Sequence, residues 1–214
     1  MKINRSNINA IYTIFVFVAL ASLDNAVVGL FPPLFSSIAE DFNIDVAFMG
    51  TLSGVTILSI SCSSLVWGYL AGKTKRKRLI IFGTVIWSIS VFMTALSRSF
   101  AQLLIYQFFT GIGLGCIASI GFSVLTDYIP KKWLGMLMSL WGLSQGFGGI
   151  AGSIMASVII PLGGWRTPFR IIAILGLIFI VLYFFIKEPR KGAAEPELQE
   201  LVNEGYEYNY TIKK

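Results

Sequence analysis

Gly68-Tyr69-Leu70-Ala71-Gly72-Lys73-Thr74-Lys75-Arg76-Lys77-Arg78 is the densest block of positive charge in this chain of 214 residues. One long apolar run leads into it and another leads out. Lysine and arginine gather in the short cytoplasmic loops of multi-span membrane proteins. A glycine-bearing helix end followed by a short basic loop therefore reads as a cytoplasmic hairpin between two membrane helices.

Apolar runs recur on both sides of this hairpin. Their approximate bounds are 8–37, 47–72, 79–96, 100–126, 134–160 and 167–186. Each can cross a hydrocarbon core of about 30 Å. The predicted fold is an all-α membrane protein with six transmembrane helices in residues 1–191, followed by a polar, acidic tail over 192–214. A signal peptide ending at Ala19-Leu20-Ala21 is the rival reading of the N-terminus. The apolar run resumes after Asp24-Asn25 and continues to about Ser37, which is too long for a signal segment of roughly 7–15 apolar residues. Pro32-Pro33 predicts a kink or a helix end.

Composition agrees with this reading. Apolar residues make up 55% of the chain and charged residues 13%, against roughly a quarter charged in soluble domains. If the N-terminus is inside, 14 of the 17 lysines and arginines fall on the inner side. Arg98, Arg166 and Arg170 fall on the outer side. Both termini are therefore expected in the cytoplasm, with the chain multi-pass in the plasma membrane. The net charge of +6 marks loops facing anionic lipid and is not a nucleic-acid footprint. The chain has no histidine, which excludes the usual zinc chemistry and any Ser–His or Cys–His pair. Cys62 and Cys116 both lie within spans and read as small packing residues. The chain is read as a non-enzyme with no metal and no cofactor. The first, second, fourth and fifth spans carry the polar and small residues, whereas the third and sixth read as peripheral. Two lining helices and one outer helix, repeated, predict a three-plus-three repeat.

The hairpin resembles the signature of the major facilitator superfamily between its second and third helices. Gly68, Leu70, Ala71 and the basic residues match it. Gly72 stands where that family most often has aspartate, and Lys75 where it often has glycine. Gly111-Ile112-Gly113-Leu114-Gly115 resembles the family's glycine-rich fourth helix, with Gln107 in place of its arginine. Asp127-Tyr128-Ile129-Pro130 with Gly135 resembles the loop that follows, with Leu134 replacing an arginine. Gly164-Trp165-Arg166 and Lys187-Glu188-Pro189 resemble the two ends of the sixth helix. Asp24-Asn25 followed by Pro32-Pro33 looks most like the spinster-like branch. The resemblance implies one six-helix half of a twelve-helix fold, and a tail that resembles the start of the linker between halves.

Several residues are candidates for function. Asp24 lies near the middle of the first span, where an aspartate costs about 2.5–3.5 kcal/mol. A carboxylate that protonates when buried and ionises when open to water can couple proton flow to transport. The alternative is that Asp24 bonds to Asn25 or to a neighbouring serine and fixes packing. Asn25 and Gln107 join Asp24 as substrate or proton pathway candidates, with packing the alternative for Gln107. Gly68, Lys73, Arg76, Lys77, Arg78 and Asp127 form the gating motif that the resemblance implies. The alternative is that they set topology and bind anionic headgroups. Gly111 and Gly115, with the GxxxG spacings Gly142–Gly146 and Gly148–Gly152, are read as helix-packing positions.

The expected function is secondary transport of a small organic solute, coupled to protons, by rocking against a second half. That half is a second copy in a two-fold homodimer or a separate C-terminal half. The lipid bilayer and the solute are the other partners. The alternative is a truncated, non-transporting remnant or a membrane interaction partner.

Overall fold

The computed structural model describes residues 5–126 and 133–186. Asp127, Lys131, Lys132, the Lys187-Glu188-Pro189 stretch and the tail lie outside the described residues. Among those described there are six helices and no strand. They are α1 (Arg5–Phe42), α2 (Phe48–Lys73), α3 (Arg76–Thr94), α4 (Phe100–Thr126), α5 (Leu134–Gly163) and α6 (Arg166–Phe184). All six are long and apolar enough to cross a membrane.

Helix α1 does not stop at Pro32-Pro33 but continues nine residues past them to Phe42. Pro33 has no N–H, so it cannot donate to the Gly29 carbonyl one turn back. The Ser153 hydroxyl of α5 donates to that carbonyl instead, at 2.8 Å. Freed carbonyls in membrane helices are commonly satisfied in this way by a neighbouring helix. Asn43 is what ends the helix, with a φ of 51°. Its N–H donates to Glu40 O and that of Ile44 to Ala39 O, which is the Schellman pattern with asparagine in the left-handed position. Ser153→Ala is expected to cost about 1 kcal/mol. In a Pro33→Ala background the restored N–H takes the Gly29 carbonyl, so the cost of Ser153→Ala should fall towards zero. A double-mutant cycle read by unfolding in detergent checks this.

The packing is symmetric under exchange of the first three helices with the last three. Helix α5 packs along α1, as α2 packs along α4. Helix α3 packs on α4, as α6 packs on α1, and α3 and α6 pack on each other. This is the three-plus-three repeat. Helices α1, α3, α4 and α6 meet around the centre of the unit, and α2 and α5 flank α4 and α1, adding Met49, Leu52, Trp67 and Ala156 to the core. Helix α3 contributes one face to this core and leaves the other uncovered. Its face of Ile80, Gly83, Thr84, Trp87, Ser88 and Val91 is buried, whereas Phe82 and Ile89 are exposed.

Glycine sets the two close seams. A Cβ on Gly111 would lie 2.6 Å from Thr56 O, and one on Gly115 would meet Ser63 and Ile60 O, all on α2. Gly148 and Gly152 meet the backbone of α1 at Ser22 and Ala26 in the same way. Gly142 and Gly146 do not pack within this unit, since an added Cβ there has no atom within 4 Å. The two GxxxG spacings therefore divide into one that seals α5 onto α1 and one that faces outward.

The basic hairpin is two residues long, Thr74 and Lys75. Arg76 Nη1 donates to Ser123 O near the end of α4 at 3.2 Å. Lys77 Nζ donates to Phe184 O and Ile186 O at the end of α6, at 2.7 and 2.5 Å. Cations at helix C-termini satisfy free carbonyls and complement the helix dipole. Lys73 pairs with the Tyr69 hydroxyl one turn back and lies over its ring. Arg78 is exposed. At the opposite end, Arg166 bonds Asp41 at 2.8 Å and Ser97 O at 3.1 Å, tying α6 to α1 and to the end of α3.

Candidate functional site

The core consists of two apolar clusters separated along the helices. One holds Ala26, Val27, Leu30, Trp87, Leu114, Phe169 and Ala173 among others. The other holds Phe17, Leu20, Ala21, Ile80, Cys116, Ile120 and Tyr183 among others. Asp24 lies on α1 between them. It is 6% exposed, and among the described residues neither carboxylate oxygen has a hydrogen-bond partner. Neither Asn25 nor a serine pairs with it.

The three pathway candidates are not brought together. Successive residues on a helix are 100° apart, so Asn25 turns away from Asp24 towards α5. Its Nδ2 donates to Ala21 O at 2.8 Å, and its Cβ lies against Gly148. Gln107 is fully buried. Its Nε2 donates to Thr94 Oγ1 at 2.9 Å, and its Oε1 lies 3.5 Å from the Thr56 hydroxyl. Thr94 donates its own proton to Ser90 O, which leaves its oxygen free to accept. Gln107 thus links α4 to α3 and α2. Along α4 it lies between Leu103 and Leu114, within the reach of the first cluster, and so belongs to a different level from Asp24. Polar residues that the sequence reading missed lie near Asp24's level on α3, namely Thr84, Trp87 and Ser88. Their signal was a threonine and a serine four residues apart in a span taken for peripheral.

The second feature is the uncovered side of α2 and α5. Within the unit, 22% and 17% of their apolar windows are buried, against 50% and 56% for α1 and α4. Gly50, Gly54, Gly68 and Gly72 on α2 have open space where a Cβ would be, as do Gly135, Gly142 and Gly146 on α5. Cys62, Ser139 and Gln145 are exposed on the same helices. Small residues at this density let a second helix approach closely. The stretch Gly142-Leu143-Ser144-Gln145-Gly146 also has the spacing of a hydrolase nucleophile elbow. Here it lies inside a continuous helix, with Ser144 buried and donating to Trp141 O at 2.7 Å. It makes no strand-to-helix elbow. Among the described residues no cluster of metal-ligating side chains occurs.

Curated relatives are transporters. The cis,cis-muconate transport protein of Acinetobacter baylyi is 28% identical over 82% of this chain and 42% of its own length. The 4-hydroxybenzoate transporter PcaK of Pseudomonas aeruginosa is 26% identical over 80% of this chain and 38% of its own length. Protein spinster of Drosophila melanogaster is 24% identical over 75% of this chain and 27% of its own length. The chain therefore spans less than half the length of these relatives. A bacterial homologue of the human lysosomal transporter spinster, solved inward-facing and unoccupied, has the same fold. Its TM-score is 0.79 at 20% identity, covering 88% of this chain and 45% of that one. A family model described as the Major Facilitator Superfamily matches residues 14–206. That match takes in all six helices and the hairpin between α2 and α3, and the chain belongs to the Major Facilitator Superfamily.

Proposed function

We propose that this six-helix unit forms one side of a transport pathway for a small organic solute, driven by protons through Asp24. The observation that carries the proposal is the buried, unpaired carboxylate in the middle of a membrane helix. Such a group is expensive to keep in a membrane and marks an ion or substrate pathway more often than a fold. The relatives named for muconate and 4-hydroxybenzoate make organic acids the first solutes to test. The uncovered sides of α2 and α5 support a second six-helix unit against which this one rocks, either a second copy or a separate half. The charge asymmetry of the loops supports both termini in the cytoplasm and a place in the plasma membrane.

Native membrane vesicles containing the chain, given a pH gradient and labelled 4-hydroxybenzoate or muconate, should accumulate one of them. Vesicles from cells lacking the chain should not. Equal uptake by both preparations, across organic acids and neutral solutes alike, would overturn the proposal. It would favour the second reading, a membrane protein that binds a transporter without transporting. Gly72, standing where the family's aspartate is expected, is the observation on that side.

A further inference from the structure

The space between the two apolar core clusters is occupied by small and polar groups from four helices. On α1 it falls between Ala21 and Ala26, and on α3 between Ile80 and Trp87. Gly113 of α4 packs against the Gly83 carbonyl and the Trp87 backbone, where a Cβ would be 2.6 Å from each. A Cβ on Gly83 would lie 2.9 Å from Cys116 Sγ. Gly176 of α6 packs against the Ser88 hydroxyl and the Trp87 ring. A chain of contacts therefore runs from Cys116 through Gly83 and Gly113 to Trp87, Ser88 and Gly176, at the level where Asp24 interrupts α1 between the two clusters.

The polar atoms of this layer are complementary. Asp24 presents two acceptor oxygens. Trp87 presents one N–H donor, and Thr84 and Ser88 present hydroxyls that both donate and accept. All of these atoms are buried, and none has a hydrogen-bond partner among the described residues. Buried polar groups in folded proteins are almost always satisfied by protein or by ordered water. Four unsatisfied side chains in one layer of an otherwise apolar core make a polar site in the interior.

We propose that Thr84, Trp87 and Ser88 are positioning residues for Asp24, forming with internal water a hydrogen-bonded layer inside this unit. On this view the carboxyl is protonated and released within the core bounded by α1, α3, α4 and α6. The uncovered side that meets a second unit is not where this happens. A small movement of α6 against α1 and α3, the two helices it packs on, then opens or closes the layer to water. Other groups that could titrate nearby are few. Cys116 of α4 lies against Gly83, and its thiol donates to Leu79 O at 3.2 Å. Helix α5 carries no charged residue. The cations of α3 and α6 lie at the helix ends, and Tyr183 lies about two turns beyond Gly176 against Phe17.

The inference rests on the proton role given to Asp24, so the test separates the two. Infrared difference spectra of the purified chain in lipid vesicles, between acid and alkaline pH, contain the carboxylic C=O band of Asp24. Asp24→Asn identifies it by its loss. Ser88→Ala and Thr84→Val change the layer while conserving most of its volume, and Trp87→Phe removes the N–H. The band is expected to move to higher wavenumber in Ser88→Ala and Trp87→Phe, as hydrogen bonds to the acid are lost. Its titration midpoint is expected to move by about one pH unit. If Trp87→Phe fails to fold, the two milder variants decide. A band and midpoint unchanged in folded Ser88→Ala and Thr84→Val would overturn the layer. Normal uptake by Asp24→Asn would instead overturn the transport role, whatever the spectra show.

Discussion

Asp24→Asn should abolish gradient-driven uptake while leaving the unit as stable as before, or more so. The amide has nearly the shape of the carboxylate but cannot exchange a proton. Neither carboxylate oxygen is held by a described protein group, so the substitution breaks no interhelical bond. It also removes a group whose place at the bilayer centre costs about 2.5–3.5 kcal/mol. A gain of about 1 kcal/mol or more in unfolding free energy is therefore expected alongside lost uptake. A packing role would show the opposite pair, with stability falling and uptake retained in proportion to folded protein. Uptake in vesicles and unfolding in detergent, measured on the same preparations, separate the two. Normal pH-dependent uptake by the variant would remove Asp24 from the mechanism.

Gly113→Ala should destabilise the unit strongly. The new Cβ would lie 2.6 Å from both Gly83 O and Trp87 N. Both are backbone atoms of α3, so no side chain can rotate out of the way. Gly83 is itself a contact glycine, since its own Cβ would meet Cys116. Helices α3 and α4 would have to separate, opening the core around the fully buried Trp87. Overpacking of this kind costs about 3 kcal/mol. Gly146→Ala, facing open space inside α5, should leave the isolated unit as stable as before or more stable by up to about 1 kcal/mol, since alanine is the better helix former. Denaturant titration of the two variants side by side checks the contrast. Equal stabilities would mean that the α3–α4 seam is looser than the structure shows.

Six apolar runs and one basic hairpin were legible because membrane insertion imposes its pattern along the chain. The lone aspartate at position 24 was legible for the same reason, as its cost depends on depth and composition and not on neighbours. What lies beside a residue was harder to read. Gly142–Gly146 and Gly148–Gly152 have the same spacing, but only the second pair faces α1, because helical rotation over six residues turns the first pair outward. Gln107 looked like a pathway residue, yet Thr94 and Thr56 converge on it from two other helices. Thr84, Trp87 and Ser88 were invisible as a group, since their significance comes from where α3 meets α4 and α6. That α1 runs on past the proline pair at 32–33 was not legible locally, because the group that takes the freed Gly29 carbonyl is Ser153, 120 residues further along the chain.

Cross-linking from α5 tests the central claim most directly. Gly146→Cys places a thiol on the uncovered side of this helix with open space around it. In native membranes, a short bifunctional reagent should join it to a second six-helix unit. Mass spectrometry of the captured peptide then tells a second copy from a separate half. A chain that remains single under these conditions, with Gly146→Cys labelled by lipid-soluble reagents alone, would contradict the account.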